Sequence, residues 1–291
     1  MKKNLINIDL VDLEKIKTIG IGGYGRVDLV QIVGDKTKSY ALKQIRQRKH
    51  FLDEVKILSK LNSEFVIKLH KTFSDETYFY ILMESCLGGD IWTLLRNKDV
   101  FNEQTSKFYI ACVLEALNYL HSQNIIYRDL KSENLLLDHS GYIKLIDFGF
   151  AKKLKNEKTS TFCGTTQYLA PEVVSKKEYG IAVDYWALGL LLFEFLTGNP
   201  PFLAENKLHV LRQILNGIEN ISFPVHINSK CKNLIENLCN SNQFERIGYE
   251  DVKNHKWYES FLWDELNNRK LPAPLIQNVV SPVDCSNFDD F

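Results

Sequence analysis

A group of polar residues in the middle of the chain has the types and spacing needed for phosphoryl chemistry. Asp129 lies two residues before Lys131 and five before Asn134, and Asp147 opens an Asp-Phe-Gly run thirteen residues after Asn134. A carboxylate can accept or orient the proton of an attacking hydroxyl, and a neighbouring lysine can steady a transferring anionic group. Asparagine and aspartate oxygens are hard ligands that suit Mg²⁺. The pattern predicts that Asp129 acts on the proton and that Asn134 and Asp147 bind the metal.

A glycine-rich turn upstream could hold the phosphates of a nucleotide. Gly20, Gly22 and Gly25 have no Cβ, so the backbone can approach phosphate oxygens closely. The turn lies between two strand-like runs, which differs from the strand-turn-helix context of a dinucleotide fold, and alone it is a weak signal. Lys43 on the next predicted strand strengthens it, because this lysine can contact the phosphates while Glu54 orients it.

Length and composition narrow the class of protein. The 291 residues suit two lobes around a cleft, and 45% hydrophobic and 25% charged residues are ordinary for a globular protein. Lys+Arg and Asp+Glu are both 36, which gives no reason to expect nucleic acid as a partner. No apolar run approaches the roughly 20 residues that span a bilayer. The six scattered cysteines are typical of reduced thiols. We expect a cytoplasmic protein, with nuclear entry left open.

Apolar patterning predicts an α+β fold with a β-rich first part and a helical second part. Strands are predicted at 16–19, 27–32, 40–45, 66–73, 78–83, 135–137 and 142–146, and helices at 51–61, 106–121 and 185–197. The predicted division is an N-lobe over 1–84, a hinge over 85–89, a C-lobe over 90–269 and an extended tail over 270–291.

Taken together, these motifs resemble those of eukaryotic protein kinases. More narrowly, the chain resembles the AGC group and the catalytic domain of cGMP-dependent protein kinases, with cAMP-dependent kinase catalytic subunits as the next nearest likeness. The motifs that carry the resemblance are 22–31, 84–90, 126–131, 147–153, 161–165, 255–257 and 286–291. The resemblance implies a bilobal protein kinase fold with an AGC-type tail, and ATP and Mg²⁺ as cofactors.

The resemblance also implies a set of nucleotide-binding residues. Met83 is placed where a residue gates the adenine pocket, Glu84 and Cys86 would bind adenine through their backbones, and Phe288 would close over the nucleotide. The full ATP-binding set is Ile19, Gly20, Ile21, Gly22, Gly23, Tyr24, Gly25, Arg26, Val27, Ala41, Lys43, Glu54, Met83, Glu84, Cys86, Leu136 and Phe288.

Catalytic and regulatory positions follow from the same likeness. Lys131 with Thr165 resembles the serine/threonine pattern, so the implied catalytic residues are Asp129, Lys131, Asn134 and Thr165. Thr161 matches the activation-loop phosphorylation site. A phosphate there would add about −2 charge and could pair with Arg128 and Lys152, ordering the loop.

Acidic residues indicate the substrate class. Asp90, Glu133 and Glu194 match carboxylates that line the peptide groove of kinases preferring basic substrates, and they would attract arginines before the target hydroxyl. Each could instead be a solvated surface acid. For Glu194 taken alone, the substrate-binding and surface-acid interpretations are equally supported. Leu169 completes the predicted substrate-binding set. Protein or peptide substrates with basic residues are therefore expected, and a regulatory subunit bound in trans stays open.

Three departures from the family pattern stand out. The eleven residues from Lys43 to Glu54 are fewer than the family pattern by about two to three helical turns. We expect the helix before the one that carries Glu54 to be absent. At roughly 3.3 Å per residue, the connection is still long enough for Lys43 and Glu54 to form an ion pair. Thr166 and Gln167 replace a proline and a glutamate, which predicts looser specificity. The chain begins just before the glycine turn, so we expect no cyclic-nucleotide-binding domain of its own.

Two rival functions remain at this stage. A pseudokinase scaffold would bind nucleotide without phosphoryl transfer, and it usually lacks the lysine or one of the aspartates that this chain retains. A nucleotide-binding regulatory module would keep its cellular function after Asp129→Asn.

Overall fold

The computed structural model describes residues 8–22, 25–154 and 157–290, apart from the side chain of His50. These residues form two compact units. The first contains the described residues up to Asp90, together with Leu136–Gly149 and the chain from Leu275 onward. The second contains Ile91–Leu135 and Phe150–Pro274.

A five-stranded antiparallel sheet is the centre of the first unit. The spatial order of its strands is β1-β2-β3-β5-β4, so only the last two are out of chain order. The strands are β1 (Leu13–Gly22), β2 (Gly25–Ile32), β3 (Asp35–Ile45), β4 (Leu69–Ser74) and β5 (Phe79–Glu84). β1 extends beyond the predicted 16–19 at both ends, where exposed polar residues (Glu14 and Lys15) and glycines (Gly20 and Gly22) interrupt the apolar pattern.

One face of this sheet is covered by the chain that precedes β1. Ile8 is fully buried against Val30, Tyr40 and Leu82, and Lys71 donates from Nζ to the carbonyl of Ile8 at 2.6 Å. Burial of apolar surface is the main stabilising contribution here. The segment before β1 therefore belongs to the core of the first unit.

The helix that carries Glu54 follows β3 almost directly. Helix α1 (Arg48–Leu58) starts three residues after β3 ends, which is earlier than the predicted 51–61. Its first turn contains Arg48 and Lys49, which belong to no apolar stripe, so periodicity alone misses that turn. The short connection explains how eleven residues reach from Lys43 to Glu54 without a preceding helix.

A small second sheet joins β7 (Leu135–Leu137) to β8 (Ile143–Leu145), close to the predicted 135–137 and 142–146. Asp138 closes the turn between the strands, because its Oδ1 accepts from the backbone NH groups of Ser140 and Tyr142. This turn places Asp147 two residues beyond the end of β8.

Helices make up most of the second unit, with one short β6–β9 pair. The helices are α2 (Ile91–Lys98), α3 (Glu103–Ser122), α4 (Pro171–Val174), α5 (Ala182–Thr197), α6 (Lys207–Asn216), α7 (Ser229–Leu238), α8 (Tyr249–Lys253) and α9 (Trp263–Asn267). Strand β6 is Ile125–Ile126 and β9 is Lys152–Lys153. Across residues 8–22, 25–154 and 157–290, no helix has the length and apolarity to cross a membrane.

Helices α3 and α5 form the core of this unit. α5 is buried over almost its whole length, as its nearly all-apolar sequence predicts. Asn102 caps α3 by accepting from the Thr105 NH at 2.9 Å, and Gly198 ends α5 at φ 78°, where a side chain would be strained.

A buried ion pair links α4 to the segment before α8. Arg246 Nη1 lies 2.7 Å from Glu172 Oε1, and Nη2 donates to Oε2 at 3.1 Å. Both residues are buried, so removing one partner leaves an uncompensated charge.

We expect Glu172→Ala to lower the free energy of unfolding by roughly 3–5 kcal/mol. Urea unfolding followed by circular dichroism measures the change. The matched control is Glu259→Ala, because the Lys230–Glu259 pair is exposed and should contribute much less to stability. Equal effects of the two variants would contradict a special stabilising role for the buried pair.

Candidate active site

Lys43, Glu54 and Asp147 form a buried charged cluster in the first unit. Lys43 Nζ lies 2.7 Å and 2.8 Å from the two carboxylate oxygens of Glu54, and 3.1 Å from Asp147 Oδ1. Burial alone would lower the pKa of Lys43, but the two carboxylates raise it, so the lysine is charged at neutral pH. The ion pair allowed by the sequence is therefore present and supports a fixed ammonium group.

The sheet holds this lysine in place from both sides. Lys43 on β3 is paired with Val27 of β2 and with Ile81 of β5. Asp147 adopts φ 54°, which is uncommon for a residue with a Cβ, and its Oδ1 also accepts from the Gly149 NH at 3.3 Å. Such strained backbone is typical of functional positions.

The glycine turn joins β1 to β2, with Gly20 opposite Val27 and Gly22 opposite Gly25. A Cβ on Gly22 would meet nothing within 4 Å, whereas one on Gly25 would lie 1.8 Å from the Gln44 carbonyl oxygen. Gly25 is thus required by its packing on β3, in addition to any contact with a ligand. The predicted residues Gly23 and Tyr24 lie outside the described residues.

The remaining predicted nucleotide residues of the first unit are distributed along its strands and tail. Ile19 and Ile21 are on β1, Arg26 is on β2, Leu136 is on β7, Ala41 is paired with Met83 across β3 and β5, and Cys86 and Phe288 lie outside these strands. Glu84 donates its NH to the Lys68 carbonyl at 3.0 Å, and its side chain pairs with Lys144 at 3.1 Å.

The tail is attached to the segment that follows β5. Asn287 donates from Nδ2 to the Leu87 carbonyl at 2.9 Å, and Gly89 packs so closely that a Cβ there would lie 2.7 Å from the Asn287 carbonyl oxygen. Phe288, next in the chain, is half-buried and donates its NH to the Cys285 carbonyl at 3.1 Å. These contacts fix the tail within the first unit.

Asp129 is the centre of the second unit's polar cluster. Its Oδ1 accepts from the Thr165 NH at 3.1 Å and from Thr165 Oγ1 at 2.8 Å. Its Oδ2 accepts from Asn134 Nδ2 at 3.0 Å and lies 3.6 Å from Lys131 Nζ. The structure therefore brings together all four predicted catalytic residues and orients both oxygens of the carboxylate.

Asp184 positions the backbone beside Asp129, a role that the sequence did not reveal. It is buried in the first turn of α5 and accepts from the backbone NH groups of Tyr127 and Arg128 at 2.9 Å and 2.8 Å. Arg128 has φ 70°, so these bonds stabilise a strained conformation. His121 Nε2 lies 2.8 Å from Asp184 Oδ2. The sequence signal that could have pointed to this role is an acid at the start of a run that is otherwise nearly all apolar.

The predicted phosphorylation segment is held by Tyr179. The Tyr179 hydroxyl donates to the Thr161 carbonyl, and it also accepts from Arg128 Nη1 at 3.2 Å. Lys152 Nζ donates to Thr159 Oγ1 at 2.9 Å, and the hydroxyls of Thr159 and Thr161 are 3.4 Å apart. The Thr161 side chain itself is exposed. Lys152 thus contacts this segment directly, and Arg128 contacts it through the Tyr179 hydroxyl.

The predicted substrate acids occupy different environments. Glu194 is 2% exposed and accepts from the Tyr168 hydroxyl, so it is not the solvated surface acid that was the alternative. Glu133 is exposed, and Leu169 is buried in the second unit. Asp90 belongs to the first unit, where it forms a bridge with Leu136.

Each of the two units contains an oxygen donor of the kind that suits a divalent cation. Asp147 supplies a carboxylate beside a charged lysine, and the Asn134 nitrogen donates to Asp129, so its oxygen is the atom suited to a cation. Within the part of the chain that the structure describes, no group of three or more His, Cys, Asp or Glu residues could hold a metal ion on its own. The Asp147 carboxylate fits a cation brought by phosphate groups, because Mg²⁺ is usually bound by one or two carboxylates plus phosphates.

Comparison with known proteins identifies the class. The protein kinase domain model matches residues 13–258, and the chain belongs to the protein kinase family. The sequence-based assignment to the AGC group, near the cGMP-dependent kinases, and the α+β kinase fold are both confirmed.

Three relatives show how specific the likeness is. The chain is 50% identical to the cGMP-dependent protein kinase, isozyme 2 forms cD5/T2, of Drosophila melanogaster, over 98% of this chain and 32% of the relative. It is 47% identical to human cGMP-dependent protein kinase 2, over 96% of this chain and 38% of the relative. It is 42% identical to the cGMP-dependent protein kinase egl-4 of Caenorhabditis briggsae, over 100% of this chain and 41% of the relative. The chain spans between about a third and two fifths of the length of these relatives.

Proposed function

We propose that this chain is an active serine/threonine kinase domain that transfers the γ-phosphoryl group of Mg·ATP to peptides with basic residues before the target hydroxyl. The observation that carries the proposal is the Asp129 carboxylate, oriented by Thr165 and Asn134 with Lys131 alongside. A group held in this way meets the geometric demand on a residue that must receive one particular proton.

The first unit supplies the groups that bind the nucleotide. Lys43 presents a charged ammonium group to the phosphates, and Glu54 keeps it from turning away. Asp147 is the proposed carboxylate ligand of Mg²⁺, and Asn134, which belongs to the second unit, is the proposed amide ligand. Bound Mg²⁺ would neutralise charge on the phosphate oxygens. The Met83 side chain and the backbones of Glu84 and Cys86 are proposed to bind adenine.

The second unit supplies the groups that act on the acceptor. Asp129 accepts or orients the proton of the substrate hydroxyl, and Lys131 stabilises charge on the phosphoryl group during transfer. Thr165 keeps the Asp129 carboxylate in one orientation by donating twice to Oδ1. Because the carboxylate is fixed before substrate binds, little reorganisation is needed during the reaction.

The acidic residues of the second unit support a preference for basic substrates. Glu133 and Glu194 lie near each other, since Ser132 Oγ contacts both carboxylates at 3.4 Å and 3.2 Å. Carboxylates bind guanidinium groups through paired charge-assisted hydrogen bonds. Asp90 and Leu169 stay predictions as substrate contacts, as do a regulatory subunit in trans and a cytoplasmic location.

The pseudokinase alternative loses its main support. It rested on the short segment between Lys43 and Glu54, and those side chains are in contact at 2.7 Å. The functional test is to incubate the protein with ATP and a peptide containing one serine, with Mg²⁺ or with excess EDTA. We expect equal amounts of ADP and phosphopeptide with Mg²⁺ only. Measurable ATP binding without phosphopeptide would favour the scaffold.

We expect Thr161→Ala to lower kcat/KM by roughly tenfold or more, because a phosphate on Thr161 would supply new charge-assisted contacts from this segment to Lys152 and Arg128. Peptide phosphorylation by the Thr161-phosphorylated protein, the unphosphorylated protein and the variant measures this effect. Thr159→Ala is a contrasting variant, since Thr159 is buried and already contacts Lys152. Equal activity with and without phosphate on Thr161 would exclude this role.

A further inference from the structure

Glu194 is a buried carboxylate held by two neutral hydroxyls. It lies on α5 at 2% exposure, its Oε1 accepts from Ser132 Oγ at 3.2 Å, and its Oε2 accepts from the Tyr168 hydroxyl. Among residues 8–22, 25–154 and 157–290, no cation lies within ion-pair distance of Glu194. Burying a carboxylate is costly without a compensating charge, so this group is suited to a cation supplied by a ligand.

Ser132 connects this buried acid to its exposed neighbour. Ser132 is fully buried, and its Oγ lies 3.2 Å from Glu194 Oε1 and 3.4 Å from Glu133 Oε2. A hydroxyl has one proton to donate, so it stabilises one of the two carboxylates at a time. Each carboxylate oxygen can accept about two hydrogen bonds. The contacts from Ser132 and Tyr168 therefore leave Glu194 with the capacity to accept two N–H groups.

We propose that Ser132 is a positioning residue for substrate specificity, which holds Glu194 in the orientation and charge state that binds one arginine side chain of the peptide. The inference rests on the proposed kinase function and adds to it a residue outside the predicted substrate set. Ser132 acts through Glu194 and does not itself touch the reacting atoms.

The charge state of Glu194 gives this role a distinctive pH dependence. Burial raises the pKa of the Glu194 carboxyl to about 7; Glu133 adds to the rise, while the hydroxyls of Tyr168 and Ser132 and the charge of Arg96 oppose it. Because the carboxylate form binds guanidinium, affinity for an arginine peptide should increase as the pH rises through 7. Removing the Ser132 hydroxyl should move that increase to higher pH, since one hydrogen bond to the anion is lost.

The experiment compares an arginine peptide with the same peptide carrying citrulline, a neutral side chain of nearly the same shape, at each arginine in turn. Fluorescence anisotropy gives the Kd of each peptide from pH 6 to 9, and phosphate transfer is measured in parallel. For Ser132→Ala we expect the preference for one arginine to fall roughly tenfold or more near pH 7 and to recover partly at pH 9.

Three further variants sharpen the result. Tyr168→Phe removes the other hydroxyl and should act in the same direction, and Glu194→Gln should abolish both that preference and its pH dependence. Ser106→Ala is the matched control, because Ser106 is a fully buried serine of the same unit whose hydroxyl has no partner among the described residues. We expect the preference of Ser106→Ala for the arginine peptide to equal that of the wild type.

The outcomes separate the two proposals. An arginine preference that is the same in Ser132→Ala and the wild type at every pH would overturn the role of Ser132 and leave kinase activity intact. A wild type that binds without transferring phosphate, while Ser132→Ala loses preference, would support the role of Ser132 and overturn the proposed function. Absence of any arginine preference in the wild type would overturn the role of Ser132.

Discussion

Asp129→Asn is expected to lower kcat by roughly 10²–10⁴-fold, the range associated with a general acid-base group. The amide cannot accept the substrate proton. It also places a donor NH₂ group opposite either Thr165 Oγ1 or Asn134 Nδ2, both of which donate to the native carboxylate. Steady-state peptide phosphorylation with saturating Mg·ATP measures the loss.

The matched control for this variant is Asp264→Asn, because Asp264 is an exposed aspartate in the first turn of α9. It should leave kcat near the wild-type value. Circular dichroism on both variants reports whether the fold is retained. If Asp129→Asn folded normally and kept a kcat close to the wild type, Asp129 would have no part in proton transfer.

Lys43→Met is expected to lower kcat/KM by at least about a hundredfold, similar to the loss of one donor that stabilises a developing negative charge. The variant removes the ammonium group that contacts Glu54 and Asp147, so the phosphates lose a fixed positive charge. The measurement is kcat/KM for ATP at a constant peptide concentration, together with the Kd of ATP.

Stability must be separated from catalysis in this variant, because Glu54 would remain buried without a partner. Lys43→Met combined with Glu54→Gln removes both charges and should fold with comparably low activity. Lys36→Met changes an exposed lysine on the same strand and should leave activity unaltered. Wild-type turnover in the folded double variant would show that the ammonium group is dispensable.

Short-range patterns predicted much of the site. The runs around Asp129 and Asp147 contain enough local information to predict the chemistry proposed for them, and the nearly all-apolar sequence of α5 predicts a buried helix. The pair between Lys43 and Glu54 was also accessible, because chain length alone shows that eleven residues can connect them.

Contacts that depend on distant parts of the chain were not accessible from local patterns. Asp184 follows Arg128 by 56 residues, yet it accepts that residue's backbone NH. Ser132 and Glu194 are 62 residues apart and meet only because α5 packs in the core of its unit. Patterning of apolar residues predicts which face of a helix is buried, but it does not predict which polar groups that burial brings together.

The role of Gly25 is a second case in which the sequence alone did not predict a packing contact. The motif indicated close approach to phosphate, whereas the structure adds a packing requirement, since a Cβ would collide with the Gln44 carbonyl at 1.8 Å. Sequence alone cannot separate these two reasons for a glycine, because both need the same absence of a side chain.

The most direct test of the account is phosphate transfer from Mg·ATP to an Arg-Arg-x-Ser peptide and to the same peptide with alanines in place of the arginines. The proteins compared are the Thr161-phosphorylated wild type and Asp129→Asn. We predict turnover by the wild type, a clear preference for the arginine peptide, and loss of both in the variant. ATP binding by the wild type with no transfer to either peptide would contradict the account and indicate a scaffold with a kinase fold.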